Sequence, residues 1–349
     1  MIYVAITIGL FLLRYSVLGY PQLNRQLYPI ILTFLFLFSG FRFEVGCDWT
    51  GYLNQYEIAG GITAGQAIQS REPIWWLLLW LQRFLDLPYP WINVMSSLVC
   101  FAGIHVLARR QPDPLGFLVL LFPVLLINMP MTAMRQGAAI GLICAAMTRF
   151  MDGRLLGFLF WVALAASFHS SAAIFFLLAP LVSRKITGVR ILGAVLLAVP
   201  GLVFLMAGEA GQTATQWYID GDRDSFGAIF RIALLSLSSL FFFLLLRKIW
   251  KREFPEDYQI VTLGGVGMLL AGVLLPTSTI IADRLSYYLI PVQTMIFARI
   301  PWMQTLSARP VLAAAPYLGL LVFFAVWAMG SSHFQQCYIP YQSWIFGAP

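Results

Sequence analysis

The segment between residues 41 and 72 concentrates side chains that could handle a phosphorylated sugar. It contains Arg42, Asp48, Trp49, Tyr52 and Glu72. Arginine makes paired hydrogen bonds to phosphate oxygens, carboxylates bind hydroxyl groups and move protons, and flat aromatic rings suit the faces of sugars. The same composition also suits a solvated linker, so this segment alone leaves both interpretations open.

A second group of polar residues interrupts stretches that are otherwise apolar. Its members are Arg135, Gln136, His169, Asp283, Arg284 and Tyr287. An ionisable side chain at membrane depth costs about 2.5–3.5 kcal/mol on insertion scales, which makes it a candidate for a functional site. The alternative is a structural ion pair, in which Asp283 would neutralise Arg284 or Arg135.

The elements that must position these residues are membrane helices. The chain has 60% hydrophobic and 11% charged residues and a mean hydropathy of +0.80, whereas roughly 25% of the residues of a soluble domain are charged. Its apolar runs of roughly 15–23 residues match a hydrocarbon core about 30 Å thick. Only a helix satisfies its own backbone in lipid, and the alternating pattern of barrel strands is absent. We therefore expect an all-α, polytopic transmembrane bundle, GT-C-like, that forms one integral membrane domain over residues 1–349.

The hydropathy pattern predicts about 12 transmembrane spans. Their predicted bounds are 2–19, 27–41, 90–108, 115–129, 132–150, 154–169, 170–183, 189–207, 227–249, 258–275, 279–298 and 310–329. The Trp-rich segment 73–86 would break the alternation of sides if it crossed, so we expect an interfacial or re-entrant helix on the outer side. The first apolar stretch lacks a basic start and a cleavage site, which favours a retained helix over a signal peptide.

The distribution of basic residues predicts the orientation. Lysine and arginine cluster in every second link, as at Arg109 and Arg110 and at 247–252, and the positive-inside rule assigns those links to the cytoplasm. Both termini then lie outside, and all three lysines lie inside. In this topology the polar stretch 42–72 lies outside, and Arg135, His169 and Asp283 with Arg284 all reach the outer ends of their helices, which predicts a site on the outer face.

The four cysteines show no CxxC pair, so the sequence gives no reason to expect a metal or redox site. Cys100 and Cys144 lie within predicted spans as core residues. Cys47 and Cys337 both fall in outer segments, where an oxidising compartment permits a disulfide between the C-terminal tail and the first outer loop. Sequence alone does not show whether the two approach each other.

The order of these residues matches a known pattern. The chain reads Arg42-x-x-x-Gly46-x-Asp48-x-x-x-Tyr52, then Glu72, then Met134-Arg135-Gln136 at a helix start, then Phe168-His169-Ser170-Ser171-Ala172, then Arg284 with Tyr287. Over residues 42–288 it resembles the EpsG family of exopolysaccharide polymerases, which is related to the Wzy O-antigen polymerases.

The resemblance implies a metal-independent glycosyltransferase at the outer face of the bacterial cytoplasmic membrane. It would move a glycan from a polyprenyl-pyrophosphate carrier to a sugar hydroxyl of the next lipid-linked repeat unit. A flippase and a chain-length regulator are the implied partners besides the lipid bilayer; a cofactor and a nucleic acid are not expected.

The candidate residues divide into three roles under this resemblance. Arg42, Arg135 and Arg284 would bind the pyrophosphate, whose developing charge needs preorganised cations. His169, Asp48 and Glu72 are the candidates for the base that accepts the hydroxyl proton, and Asp48 could instead orient Arg42 or bind sugar hydroxyls. The sugar-binding candidates are Tyr52, Trp49, Gln136, Asp283 and Tyr287, although tyrosine and tryptophan also belong to ordinary interfacial belts.

Two other classes remain open at this stage. A flippase or transporter of lipid-linked sugars would explain the helices, but it predicts charged groups near the midplane and matching halves. A membrane acyltransferase could use His169 as its base, but it would more naturally work on a cytoplasmic thioester. An O-antigen ligase differs from a polymerase mainly in its acceptor.

Overall fold

The computed structural model describes residues 2–182, 227–303 and 310–345, with isolated positions at 187–189, 192, 193, 196 and 347. This part of the chain is almost entirely helical, and its β pairing is one isolated bridge between Arg42 and Ser343. The all-helical class predicted from the sequence is confirmed for these residues. The predicted span 189–207 lies largely outside them.

The helices belong to two compact units. The first contains Met1–Ala145, Ala163–Ala172 and Phe297–Pro349, and the second contains Ala146–Val162 and Ala173–Ile296. The helices wholly within the first unit are Ile2–Ser16, Pro21–Gly40, Trp49–Ala59, Ala64–Gln69, Pro73–Phe84, Trp91–Ala108, Pro114–Leu126, the 3-10 helix Ile300–Trp302, Pro310–Gly330 and Ser332–Tyr338. The start of Met134–Met151 and the end of Leu155–Phe168 also belong to it.

Local sequence signals set several helix starts in the first unit. Pro21, Pro73 and Pro114 stand in the first turn of their helices, where a missing backbone N–H costs nothing. Thr63 and Gln66 form a reciprocal capping box at the start of Ala64–Gln69. These local signals fix where the helices begin.

Glycine allows the backbones of two long helices in the first unit to touch. A Cβ added at Gly103 would lie 1.9 Å from the carbonyl oxygen of Gly141, so Trp91–Ala108 and Met134–Met151 approach closely at these residues. Gly40 similarly lies against the backbone of Val94, with 3.3 Å from an added Cβ to its Cα. The contact between Gly103 and Gly141 holds the helix that begins at Met134 against Trp91–Ala108.

The second unit is built around a helix with a π-helical segment. Its helices include most of the 3-10 helix Ser170–Leu181, then Ala228–Glu253, with π geometry at Phe242–Leu246, followed by Tyr258–Leu274, Thr279–Tyr287 and most of Ile290–Arg299. Small residues allow close packing in one core cluster of Ala228, Ile232, Ala271 and Ala282. The hydroxyl of Ser239 donates to the carbonyl of Gly265 at 2.7 Å and links Ala228–Glu253 to Tyr258–Leu274.

Three of the described helices are long and apolar enough to cross a bilayer, namely Trp91–Ala108, Ala228–Glu253 and Ala313–Gly330. Shorter apolar helices are Ile2–Ser16, Pro114–Leu126, Leu155–Phe168, Ser170–Leu181 and Tyr258–Leu274. Large apolar side chains such as Leu244, Val322 and Val326 are exposed along the long helices, as a surface in contact with lipid requires. A membrane protein is indicated; the total of about 12 spans and the GT-C-like arrangement stay predictions.

Three segments differ from the prediction in detail. Predicted span 170–183 is a 12-residue 3-10 helix, Ser170–Leu181. A 3-10 helix rises about 2.0 Å per residue, so it reaches further than an α-helix with the same number of residues. Predicted span 279–298 is two helices, Thr279–Tyr287 and Ile290–Arg299, because Pro291 lacks the N–H that would continue the first. Much of the polar stretch 42–72 is helical. Segment 73–86 contains the predicted helix, at Pro73–Phe84.

Candidate active site

An ion pair between Glu72 and Arg135 forms the centre of the candidate site, within the first unit. The guanidinium Nη1 of Arg135 donates to Oε2 of Glu72 at 2.6 Å, and the backbone N–H of Ser170 donates to Oε1 at 3.0 Å. Both carboxylate oxygens therefore have a donor. Three segments that are far apart in the sequence meet at this one carboxylate.

Each of these residues stands at the end of an element. Glu72 is the residue before Pro73–Phe84, Arg135 is the second residue of Met134–Met151, and Ser170 opens the 3-10 helix. The N-terminus of an α-helix carries a partial positive charge, so Arg135 adds its full charge to a field of the same sign. The paired carboxylate offsets part of this charge.

The ring of Tyr52 lies beside the guanidinium of Arg135. The guanidinium carbon is 5.7 Å from the ring centroid of Tyr52, and that ring packs edge-on against Trp75 at 5.3 Å. Burial raises the pKa of the Tyr52 phenol, and the charge of Arg135 opposes that shift. The Nε of Arg135 is buried and has no hydrogen-bond partner among the described residues, while the side chain as a whole is 30% exposed. The Tyr52 ring therefore helps to orient a guanidinium that is still partly exposed.

His169 follows the Leu155–Phe168 helix and precedes Ser170. Its Nδ1 is 2.8 Å from Oγ of Ser171 and 3.3 Å from the backbone nitrogen of Ser171, which donates to it. The imidazole is thus next in the chain to the N–H that binds Glu72.

Arg42 organises the loop that carries Asp48. Its side chain is 1% exposed, with Nε donating to the carbonyl of Val45 at 3.0 Å and Nη1 to that of Ser39 at 2.9 Å. Burial lowers the pKa of the Arg42 guanidinium to about 10, which leaves it charged at neutral pH. The side-chain hydrogen bonds of Arg42 go to backbone carbonyls at the end of Pro21–Gly40 and in the loop that follows. Its role as a pyrophosphate ligand stays a prediction.

The C-terminal tail is bonded to the same loop. We call residues 331–345 the strap. Cys337 of the strap forms a disulfide with Cys47, and the N–H of Gly46 donates to the carbonyl of Cys337 at 2.7 Å. Further along, Phe43 N–H donates to the carbonyl of Gln342 at 2.9 Å. The disulfide that the sequence permitted is therefore present, and it fixes the chain beside Asp48.

Gly46 is required where the loop meets the core. Its φ is +103°, and an added Cβ would lie 2.0 Å from the carbonyl oxygen of Met131. A side chain there would face both backbone strain and a direct clash.

One group of side chains near this loop has the spacing of metal ligands. The ligand atoms of Cys47, His333 and Cys337 lie within 4.8 Å of one another, but sulfur atoms joined in a disulfide offer no thiolate to a metal.

The remaining candidates of the first unit have different exposures. Asp48 is exposed at the start of Trp49–Ala59. Trp49 packs edge-on against Tyr89 at 4.9 Å, and its carbonyl accepts a hydrogen bond from the Tyr89 hydroxyl at 2.9 Å. Gln136, next to Arg135, is buried. The sugar-binding roles of Trp49, Tyr52 and Gln136 stay predictions.

Asp283, Arg284 and Tyr287 lie in the second unit. Asp283 pairs with Arg231, whose Nε donates to Oδ1 at 2.8 Å and whose Nη2 donates to Oδ2 at 2.7 Å. The same guanidinium carbon lies 5.1 Å from the ring centroid of Tyr287. Arg284 is exposed. Asp283 therefore has a structural partner, as the alternative interpretation proposed, but the partner is Arg231. The pyrophosphate role of Arg284 stays a prediction.

Comparison with protein families identifies the chain. The sequence pattern of the EpsG family matches residues 25–343, nearly the whole length. The chain belongs to the EpsG family. Comparisons with curated proteins and with solved structures give no significant match. The resemblance seen in the order of Arg42, Arg135, His169 and their neighbours is thereby confirmed.

Membership of the EpsG family indicates a membrane protein of the polysaccharide polymerase type.

The sequence analysis missed Ser171 and Arg231 as partners of the candidate residues. Ser171 was visible beside His169 in the family pattern, whereas nothing in a single sequence joins Arg231 to Asp283, which is 52 positions away.

Proposed function

We propose that the protein is a polysaccharide polymerase. It transfers a growing glycan from a polyprenyl-pyrophosphate carrier to a sugar hydroxyl of the next lipid-linked repeat unit, at the outer face of the cytoplasmic membrane. Membership of the EpsG family supports the reaction class. The observation that carries the proposal is the Glu72–Arg135 pair with the Ser170 N–H on the same carboxylate.

The chemistry requires stabilisation of a leaving anion. The acceptor oxygen forms a bond to the anomeric carbon, the bond from that carbon to the phosphate oxygen breaks, and its electron pair leaves with the pyrophosphate. Fixed cations and N–H donors aimed at this oxygen lower the barrier because they need no reorganisation. Arg135 meets this requirement, since its position at a helix N-terminus adds backbone N–H groups and a partial positive charge.

Glu72 acts as the positioning residue in this proposal. Its two oxygens are held by Arg135 and by the N–H of Ser170, so proton transfer to either oxygen would disrupt a charge-assisted hydrogen bond. The contacts therefore favour Glu72 as the group that orients Arg135. Asp48 and His169 remain the candidates for proton transfer, and Arg42 with the strap would hold Asp48 in place.

The test is the mass balance of a reconstituted reaction. Purified protein in nanodiscs would receive a polyprenyl-pyrophosphate-linked repeat unit, with glycan size and free polyprenyl pyrophosphate measured together. A polymerase releases one lipid pyrophosphate for each linkage formed and gives a ladder of products. Movement of intact lipid-linked sugar across the bilayer without a new linkage would instead support a flippase, and a single transfer to a different acceptor would support a ligase.

A further inference from the structure

The hydrogen bonds of Ser171 determine which nitrogen of His169 carries the proton. The backbone N–H of Ser171 points at Nδ1 at 3.3 Å, and Oγ of Ser171 lies 2.8 Å from the same atom. A backbone N–H can only donate, so Nδ1 must present its lone pair. The neutral ring then carries its proton on Nε2.

The surrounding backbone fixes this arrangement. The N–H of Ser170 is bound by Glu72 at 3.0 Å, and the N–H of Ala172 donates to the carbonyl of His169 at 3.0 Å. The Ser171 N–H lies between these two anchored groups and is held towards the imidazole. The tautomer of His169 is therefore linked to the same carboxylate that orients Arg135.

We propose that His169 serves the reaction as a hydrogen-bond donor through Nε2–H and that Ser171 is the positioning residue that fixes this tautomer. The ligand is an anionic oxygen of the donor's pyrophosphate. The identity of the ligand rests on the proposed polymerase function. The tautomer of His169 is independent of that function, because it follows from the hydrogen bonds of Ser171.

Nε2 is unsuited to act as the base in this geometry. To accept a proton there, the neutral ring would have to carry its hydrogen on Nδ1, directly opposed to the N–H of Ser171. The electron pair of the broken bond goes to the pyrophosphate, towards which Nε2–H donates. The proton of the acceptor hydroxyl goes to a carboxylate, for which the exposed Asp48 is the candidate, and then to water.

Amide replacements separate a donor from a base. Glutamine places an N–H near the position of Nε2, asparagine places one near Nδ1, and alanine supplies neither. We expect His169→Gln to keep kcat within about tenfold of wild type, and His169→Asn and His169→Ala to lose about 100-fold or more. Equal losses in the glutamine and alanine variants would overturn the donor role, as would rescue by asparagine alone.

The pH profile gives a second kinetic readout. If another group is the base, the acidic limb of log kcat is the same in His169→Gln as in wild type. Disappearance of that limb in His169→Gln would identify His169 as the base and overturn the inference. His105→Gln is the matched control, because His105 bonds Tyr28 at 2.9 Å in a different part of the first unit. It should leave kcat and the profile unchanged.

Nitrogen NMR of isotope-labelled histidine tests the tautomer without any turnover. The chain has three histidines, so His105→Gln and His333→Gln assign the His169 signals even if substitution of His169 prevents folding. We expect an unprotonated Nδ1 and a protonated Nε2, and a protonated Nδ1 would overturn the inference. Wild-type protein that makes no polymer but shows the expected tautomer would count against the proposed function alone.

Discussion

Replacement of Arg135 by lysine tests the site because it separates charge from geometry. Lysine keeps the positive charge and can still pair with Glu72, which Arg135 contacts at 2.6 Å. It loses the planar fork of donors that can bind a carboxylate and a phosphate together. The loss should therefore appear in the reaction rather than in folding.

The expected size follows from the contacts removed. One preorganised donor at a developing oxyanion is worth about 2.7–4 kcal/mol, so kcat of Arg135→Lys should fall about 10²–10³-fold. The side chain of Arg135 is 30% exposed and the ion pair is retained, so the free energy of unfolding should change by less than about 1 kcal/mol.

The assay is the initial rate of polyprenyl pyrophosphate release in nanodiscs, with thermal unfolding measured on the same samples. Arg83→Lys is the matched control, because the Arg83 guanidinium also lies over a tyrosine ring, at 4.8 Å from Tyr56. An exposed cation–π contact contributes about 0.5–1 kcal/mol, so this variant should stay within about fivefold of wild type. If Arg135→Lys does the same, Arg135 does not bind the leaving group.

Four further predictions follow from other parts of the structure. Reduction of the disulfide, which closes a separation of 290 residues, should lower the unfolding temperature and kcat, since such a link contributes up to about 5 kcal/mol; because Cys100 and Cys144 are free in any case, four free thiols in non-reduced protein would contradict it. Gly46→Ala should destabilise by at least about 1–3 kcal/mol, whereas Gly51→Ala, with open space for its Cβ, should not. Asp283→Ala should cost about 3–5 kcal/mol by leaving Arg231 unpaired, and apolar replacement of both should restore stability. EDTA should leave the rate unchanged if arginines supply the charge.

The sequence predicted the helices because their signal is local. Long apolar runs identify elements such as Trp91–Ala108 without knowledge of any partner. The break before Ile290–Arg299 was missed because hydropathy continues across it, although Pro291 was the available signal. The helix Trp49–Ala59 was missed for the opposite reason: its polar composition carries no apolar period that would reveal it.

The sequence predicted which candidate residues share one end of their helices, but not their contacts. The distribution of charge put Arg135, His169 and the segment with Glu72 at the same end, and the structure joins Glu72 to Arg135 and to the residue after His169. The partner of Asp283 was not predictable, because ion pairing depends on how helices rotate against each other. The burial of Arg42 was not predictable either. An arginine in a polar segment is expected to be exposed, and the sequence does not show that its side chain bonds the carbonyls of Ser39 and Val45.

The most direct measurement is the size distribution of products made by purified protein from a polyprenyl-pyrophosphate-linked repeat unit, run beside Arg135→Ala and Glu72→Ala. We expect a ladder with wild type, its loss in Arg135→Ala, and strong weakening in Glu72→Ala, because the guanidinium would lose the carboxylate that orients it. A wild-type ladder that persists in both variants would contradict the assigned site. Absence of any ladder from folded wild-type protein supplied with authentic substrate would contradict the polymerase function itself.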